Sequence, residues 1–201
     1  CGIYQTGEKT LMRWAAGILG KAGKKITQRD MELLLTKTGT DMGNLRMEME
    51  KLISYTEGRD VVTAEDIEEI CTTQTTNRIF DMVRAVTEKN QKRALELYYD
   101  LLTLKEPPMR ILFLLAKQYR QLLLAKQFAA AGLAQTEIAS KLGVPGFVVR
   151  NITTCARAYT ISELEQAVKD FVDAEESVKT GRLEDKLSVE LLIIKYSSKV
   201  K

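Results

Sequence analysis

Asp41-Met-Gly-Asn-Leu-Arg-Met-Glu-Met-Glu-Lys-Leu-Ile53, with Gly39 just before it, is the stretch that decides the fold class of this chain. Met42, Leu45, Met49, Leu52 and Ile53 recur at helical spacing and predict one apolar face. Thr40 or Asp41 can cap the start, and Gly39 closes the helix before it. Glu48, Glu50 and Lys51 are expected on the opposite, solvated side. Arg46 stands one turn before Glu50, an i,i+4 pair of opposite charge.

The same period extends in both directions. Leu11, Trp14, Ala15, Ile18 and Leu19 predict a helix ended by Gly20–Gly23; Thr27 with Asp30 starts another that buries Met31, Leu34 and Leu35. After the quoted helix, Thr63 with Asp66 opens a short one carrying Ile67 and Ile70. The Thr/Gln run 72–76 reads as a linker. Beyond it, Ile79, Phe80, Val83 and Val86 mark one helix, and Ala94, Leu95, Tyr98, Leu101 and Leu102 the next. Pro107-Pro108 stops that helix and starts a long one from Met109 to about Ala131. Shorter helices over 136–142 and 145–158 follow, split by Gly143-Val-Pro145. Ser162 is placed as the cap of a helix ending at Gly181, and Leu187–Tyr196 closes the chain. Strand-like alternation is absent. The expectation is an all-α protein of two helical domains, 1–72 and 77–201.

Several segments together carry a family resemblance: Glu48-Met-Glu-Lys-Leu52, Thr63-Ala-Glu-Asp-Ile67, Ile79-Phe80, Lys117-Gln-Tyr-Arg120, Glu137-Ile-Ala-Ser-Lys-Leu-Gly-Val144 and Glu175-Glu-Ser-Val-Lys-Thr-Gly181. Over essentially its whole length the chain resembles the delta subunit of the bacterial DNA polymerase III clamp loader. Glu175 stands where the family pattern has Asp, which keeps the charge. The resemblance implies a small AAA+-type helical lid over 1–72 and a helical collar, the oligomerisation domain, over 77–201. It implies a non-catalytic part without cofactor, placing a clamp-opening domain inside a pentameric loader. Implied partners are the delta prime and tau/gamma subunits, the sliding clamp through an N-terminal AAA+-like domain not contained here, and primer-template DNA through the assembled complex. The start Cys1-Gly-Ile-Tyr-Gln5 is neither an initiator Met nor a targeting sequence and reads as a cut from a longer protein.

Composition narrows the chemistry. The 201 residues contain no histidine, which removes histidine-dependent nucleophilic sites and histidine-bound metals together. Cys1, Cys71 and Cys155 are too far apart for metal-ligand spacing, and their odd number fits a reducing cytoplasm rather than a disulfide scaffold. The longest apolar run, Ile111–Ala116, falls far short of the ~20 residues of a membrane span. Thirty basic and 27 acidic residues give a net charge of +3, and their interspersion does not by itself argue for nucleic-acid binding.

Four motifs remain. Gly17–Lys24 imitates a phosphate loop, but a helix precedes it where a strand is needed, and Lys25 replaces the magnesium-binding Ser/Thr. Gly43-Asn-Leu-Arg46 resembles the sensor-2 segment of AAA+ lids, whose arginine reaches nucleotide phosphates; here Arg46 is expected to be a vestige. Gln135–Pro145 resembles half of a helix-turn-helix, which keeps a DNA-binding regulator as the rival class. The following helix nonetheless begins Pro145-Gly-Phe-Val-Val149, core material rather than a base-reading surface. Lys179 and Arg182 complement a helix C-terminus, with Glu175 and Lys179 at i,i+4. Gln118 and Arg120 on the long helix, with Lys179 and Arg182, are the expected partner contacts. That helix, carrying Ile111–Leu115 and Leu122–Leu124 in consecutive runs, is expected to need cover on more than one side, from its own domain or from a partner.

Overall fold

The computed structural model describes residues 3–71 and 75–198, and the description that follows is confined to them. They form eleven α-helices: α1 Ile3–Lys21, α2 Gln28–Thr38, α3 Met42–Tyr55, α4 Ala64–Ile70, α5 Thr75–Thr87, α6 Gln91–Thr103, α7 Pro108–Ala130, α8 Gln135–Leu142, α9 Gly146–Ala156, α10 Ile161–Lys179 and α11 Asp185–Ser197. The fold is all-α. Two compact units divide it: Cys1–Asn77 with Gly143–Val148, and Arg78–Leu142 with Val149–Lys201. Residues 72–74 of the Thr/Gln run lie outside the described residues, while Thr75 already begins α5.

In the first unit, Ala15 and Leu19 of α1, Met31, Leu34 and Leu35 of α2, and Leu45, Met49 and Leu52 of α3 share one core with Ile67 of α4 and Phe147. Asp41 is the α3 cap, its side chain accepting from the Asn44 N–H at 2.8 Å. Gly39, at φ 80°, ends α2 in a conformation that a side chain would strain. Two expectations for α3 fail. Met42 is 52% exposed, and the covered face of α3 begins only at Leu45. Glu48 is buried, not solvated: it lies on the flank facing Cys71 and is paired with Lys51 at 2.6 Å. Burial, with that carboxylate nearby, pushes the Cys71 thiol up to about 12, so it stays protonated and inert. The α1–α2 connection is pinned to the α3–α4 connection by Lys25 N–H to Asp60 O and Val62 N–H to Lys25 O.

In the second unit α7 and α10 form the most extensive packing, and α11 lies against α6, α7 and α10. Pro107 and Pro108 precede and open α7, where a missing N–H costs nothing. Two lysines cap helix ends from other segments. Lys89 Nζ donates to Tyr196 O and Lys126 Nζ to Ala156 O, each at 2.9 Å, so the positive charge meets the negative end of the dipole. The α10 cap is Thr160, not Ser162: Thr160 and Glu163 form a reciprocal capping box, and Ser162 sits exposed in the first turn. Both Thr160 with Glu163 and Ser162 with Glu165 have the spacing of a box, and the structure forms the first, with the Thr160 N–H and hydroxyl donating to Glu163 Oε2.

Thr160→Ala is expected to lower stability by about 1 kcal/mol in urea denaturation. Ser162→Ala should stay within about 0.5 kcal/mol of the parent.

Candidate partner-docking surface

Helix α11 is apolar on two opposite faces. Val189, Leu192 and Ile193 are buried, with Ser188 and Ser197 beside them. Leu187, Leu191 and Ile194, at i, i+4 and i+7, form a second strip on the other side and are 41%, 48% and 37% exposed. A helix apolar on both faces wants cover on both. The strip is bordered by Glu190, whose Oε1 accepts from the Tyr99 hydroxyl of α6 at 2.8 Å, and by Lys195, which pairs with Asp170 of α10. Tyr99, itself about half exposed, widens the apolar surface toward α6.

The aim of the strip is set from behind. Asp170 accepts hydrogen bonds from Lys195 Nζ, from the Tyr196 hydroxyl and from Gln166 Nε2. Burial alone would raise the Asp170 carboxyl, but these three donors outweigh it and hold it below the ordinary 3.8. The Tyr196 phenol is driven upward, first by burial and then by that carboxylate. Its ring packs against Tyr119, at 5.5 Å between centroids, and against Phe171 at 6.3 Å. Tyr119 in turn exchanges a 3.1 Å hydrogen bond with Tyr159. Burial pushes Tyr159 up to about 12 and Tyr119 well above its usual value, so both stay neutral.

The sequence-predicted residues do not converge on one place. Arg46 is exposed and paired with Glu50 at 3.0 Å. Arg120 is exposed on α7. Lys179 pairs with Glu175 and Arg182 with Glu176, both at the exposed end of α10. Gln118 is only 8% exposed, so it is enclosed in its own unit and cannot itself present a contact surface; its Oε1 has no hydrogen-bond partner. Helix α7 is also mostly covered from within: Ile111, Leu112, Leu115, Tyr119, Leu122 and Ala125 are buried, and Phe113 is its one large apolar side chain mainly in solvent among the described residues. Among the described residues of the second unit, the uncovered apolar strip at helical spacing is therefore the one on α11. The sequence signal for it is the unbroken Leu191–Ile194 run, which periodicity alone assigns to a closing core helix.

Of the α8–α9 pair, Phe147 and Val149 at the start of α9 are buried, so the turn that would read bases is not presented. Among the described residues there is no cluster of His, Cys, Asp or Glu able to hold a metal, and no helix long and apolar enough to cross a membrane.

The strip lies inside a region with known relatives. The profile of the DNA polymerase III delta subunit, C-terminal domain, matches residues 76–196, more than half of the chain. The chain belongs to this family. It is 27% identical over 171 residues to the DNA polymerase III subunit delta of Bacillus subtilis, covering 85% of this chain and 49% of the relative. It is 23% identical over 123 residues to the probable DNA polymerase III subunit delta of Aquifex aeolicus, covering 61% and 35%. Among solved structures, the Bacillus subtilis DNA clamp loader delta protein superposes with a TM-score of 0.81 at 25% identity, over 95% of this chain and 56% of that one. The chain thus spans about half or less of the length of these curated relatives of the delta family.

Asp170→Asn is expected to cost about 1.5–3 kcal/mol, the range for hydrogen bonds to a charged group. The lower end applies because Lys195 stands half in water. The depressed carboxyl contributes stability that is present above its unfolded value and lost as pH falls through the folded one. The variant's urea midpoint should therefore fall less steeply than the parent's as pH drops below about 4.

Proposed function

We propose that this chain is the assembling part of a clamp-loader delta subunit. The second unit acts as the collar that joins neighbouring subunits, and the first acts as an AAA+-type lid linking it to a clamp-opening domain outside these residues. The partners are the delta prime and tau/gamma subunits; the sliding clamp and primer-template DNA are met through the assembled loader. The observation that carries the reading is the outward strip Leu187, Leu191 and Ile194, an apolar face left uncovered within the family-matched region. Its role is positioning rather than chemistry: it fixes one protomer against the next by burying apolar surface. Arg120, Lys179 and Arg182 supply exposed charge at other edges of the unit and tune association rather than drive it.

The rival readings fit the geometry less well. A nucleotide sensor needs a free arginine, whereas Arg46 is engaged with Glu50. A base-reading helix needs an exposed start, whereas Phe147 and Val149 are buried.

Gel filtration with the other loader subunits of the same organism tests the proposal. The parent chain is expected to co-elute with them. The variant Leu187→Ser/Leu191→Ser/Ile194→Ser should lose about tenfold or more in affinity while keeping its helical circular dichroism. Undiminished co-elution of that variant would remove the strip from the assembly role. A second expectation is that the chain does not bind a fluorescent ATP analogue at micromolar concentration; saturable binding abolished by Arg46→Ala would promote the sensor reading.

A further inference from the structure

The near-neutral charge of the whole chain hides a local asymmetry in the first unit. From Thr10 to Arg29 the charged residues are Arg13, Lys21, Lys24, Lys25 and Arg29, without one acid, whereas acidic residues outnumber basic ones over 30–71. The expectation of interspersed charge thus fails for this segment. Lys24 is occupied, its Nζ donating to Thr56 O and Arg59 O at 2.7 Å each. Arg13, Lys21, Lys25 and Arg29 are all exposed and make no ion pair among the described residues.

We propose that the outward face of α1 and the start of α2 form a docking edge for the phosphate backbone of duplex DNA, with Arg13, Lys21, Lys25 and Arg29 as the phosphate contacts. Three features support it. Arg13 and Lys21 lie on one side of α1, opposite the buried Ala15 and Leu19, and are separated by about 12 Å along the axis, some three to four base-pair steps. Between them the helix presents only Ala16, Gly17 and Gly20, and a Cβ on either glycine would meet nothing within 4 Å, so the charged ends stand above a low floor that a backbone can approach. Arg13 also lines a recess with Ala16, Thr27 and Gln28, so the start of α2 borders the same edge, and the exposed Arg29 is the next residue along α2.

The frame of the edge is preorganised. The Lys25 backbone is held by two hydrogen bonds to the α3–α4 connection, and Asp30, the acid next to Arg29, is engaged by the Thr27 hydroxyl at 2.8 Å. Cations fixed on a rigid frame lose less freedom on meeting phosphate than cations on a mobile loop. The contacts carry no base information, since phosphates are identical along the duplex. This inference stands on the charge map and not on the assembly strip, so its test uses the chain alone, and either proposal can fail without the other.

The experiment is fluorescence anisotropy of a labelled primed duplex titrated with the 201-residue chain over a series of salt concentrations. The variant Arg13→Gln/Lys21→Gln/Lys25→Gln/Arg29→Gln is expected to bind at least tenfold more weakly at low salt and to flatten the slope of log K against log salt by about 3 to 4. A control, Lys92→Gln/Lys105→Gln/Lys117→Gln/Lys169→Gln, removes the same charge from exposed positions of the second unit that make no ion pair. It should retain most of the affinity and slope. Equal losses in both variants would reduce the effect to bulk charge and overturn the proposal, as would no loss in the first. Sedimentation with phosphatidylserine vesicles, without duplex binding, would overturn it in favour of a membrane surface.

Discussion

Tyr119 is the contact on which the second unit is organised. From the middle of α7 its ring meets Phe171 of α10 and Tyr196 of α11, and its hydroxyl meets that of Tyr159 in the connection before α10. Two buried phenols that bond each other avoid the cost of an unpaired polar group in the core. Their elevated ionisation keeps the pair neutral, so this centre is insensitive to ordinary pH. What responds to pH lies one shell outward, at Asp170, which ties Tyr196 and Lys195 to α10.

That arrangement explains how helix α11 can carry a defined surface. Helix α11 has little amphipathic contrast, so its rotation is not set by hydrophobic pattern alone. Tyr196 fixes one side of it in the aromatic cluster, Tyr98 donates to Lys186 O, and Lys89 caps its last turn from the α5–α6 connection. With three anchors behind it, Leu187, Leu191 and Ile194 have only the outward direction left. The first unit uses a different device. A single apolar core holds α1 to α4, and paired backbone segments at Lys25 and Val61–Val62 lock two connections together, which leaves α1 free to present a polar, basic side.

Much of this was legible in the residues. The 3.6-residue period, the Thr63 box, the Pro107-Pro108 break and Gly39 mark helices by local chemistry, and local chemistry is what a sequence displays. The misses share one cause. Ser162 reads as a cap because a hydroxyl there precedes the apolar period and Glu165 stands three residues on, whereas the helix starts two residues earlier, at the box of Thr160 with Glu163. Glu48 looked solvated because charge favours water, yet Lys51 and the flank toward Cys71 accommodate it. Gln118 looked like a contact residue and is enclosed, and the apolar excess of α7 is absorbed by its own unit.

By itself, then, the sequence determined the helices, their order, the all-α class and the delta-family membership, because capping, periodicity and motif succession depend on neighbours along the chain. The tertiary structure decided which apolar face stays uncovered and where like charges gather. Leu187, Val189, Leu191, Leu192, Ile193 and Ile194 are equivalent in composition, and only the packing of α6, α7 and α10 distinguishes the buried from the exposed ones. The acid-free run Thr10–Arg29 is visible along the chain, but that Thr27 and Gln28 at the start of α2 lie beside Arg13 is decided by the fold. Burial and electrostatic potential are sums over neighbours in space, which a linear pattern does not contain.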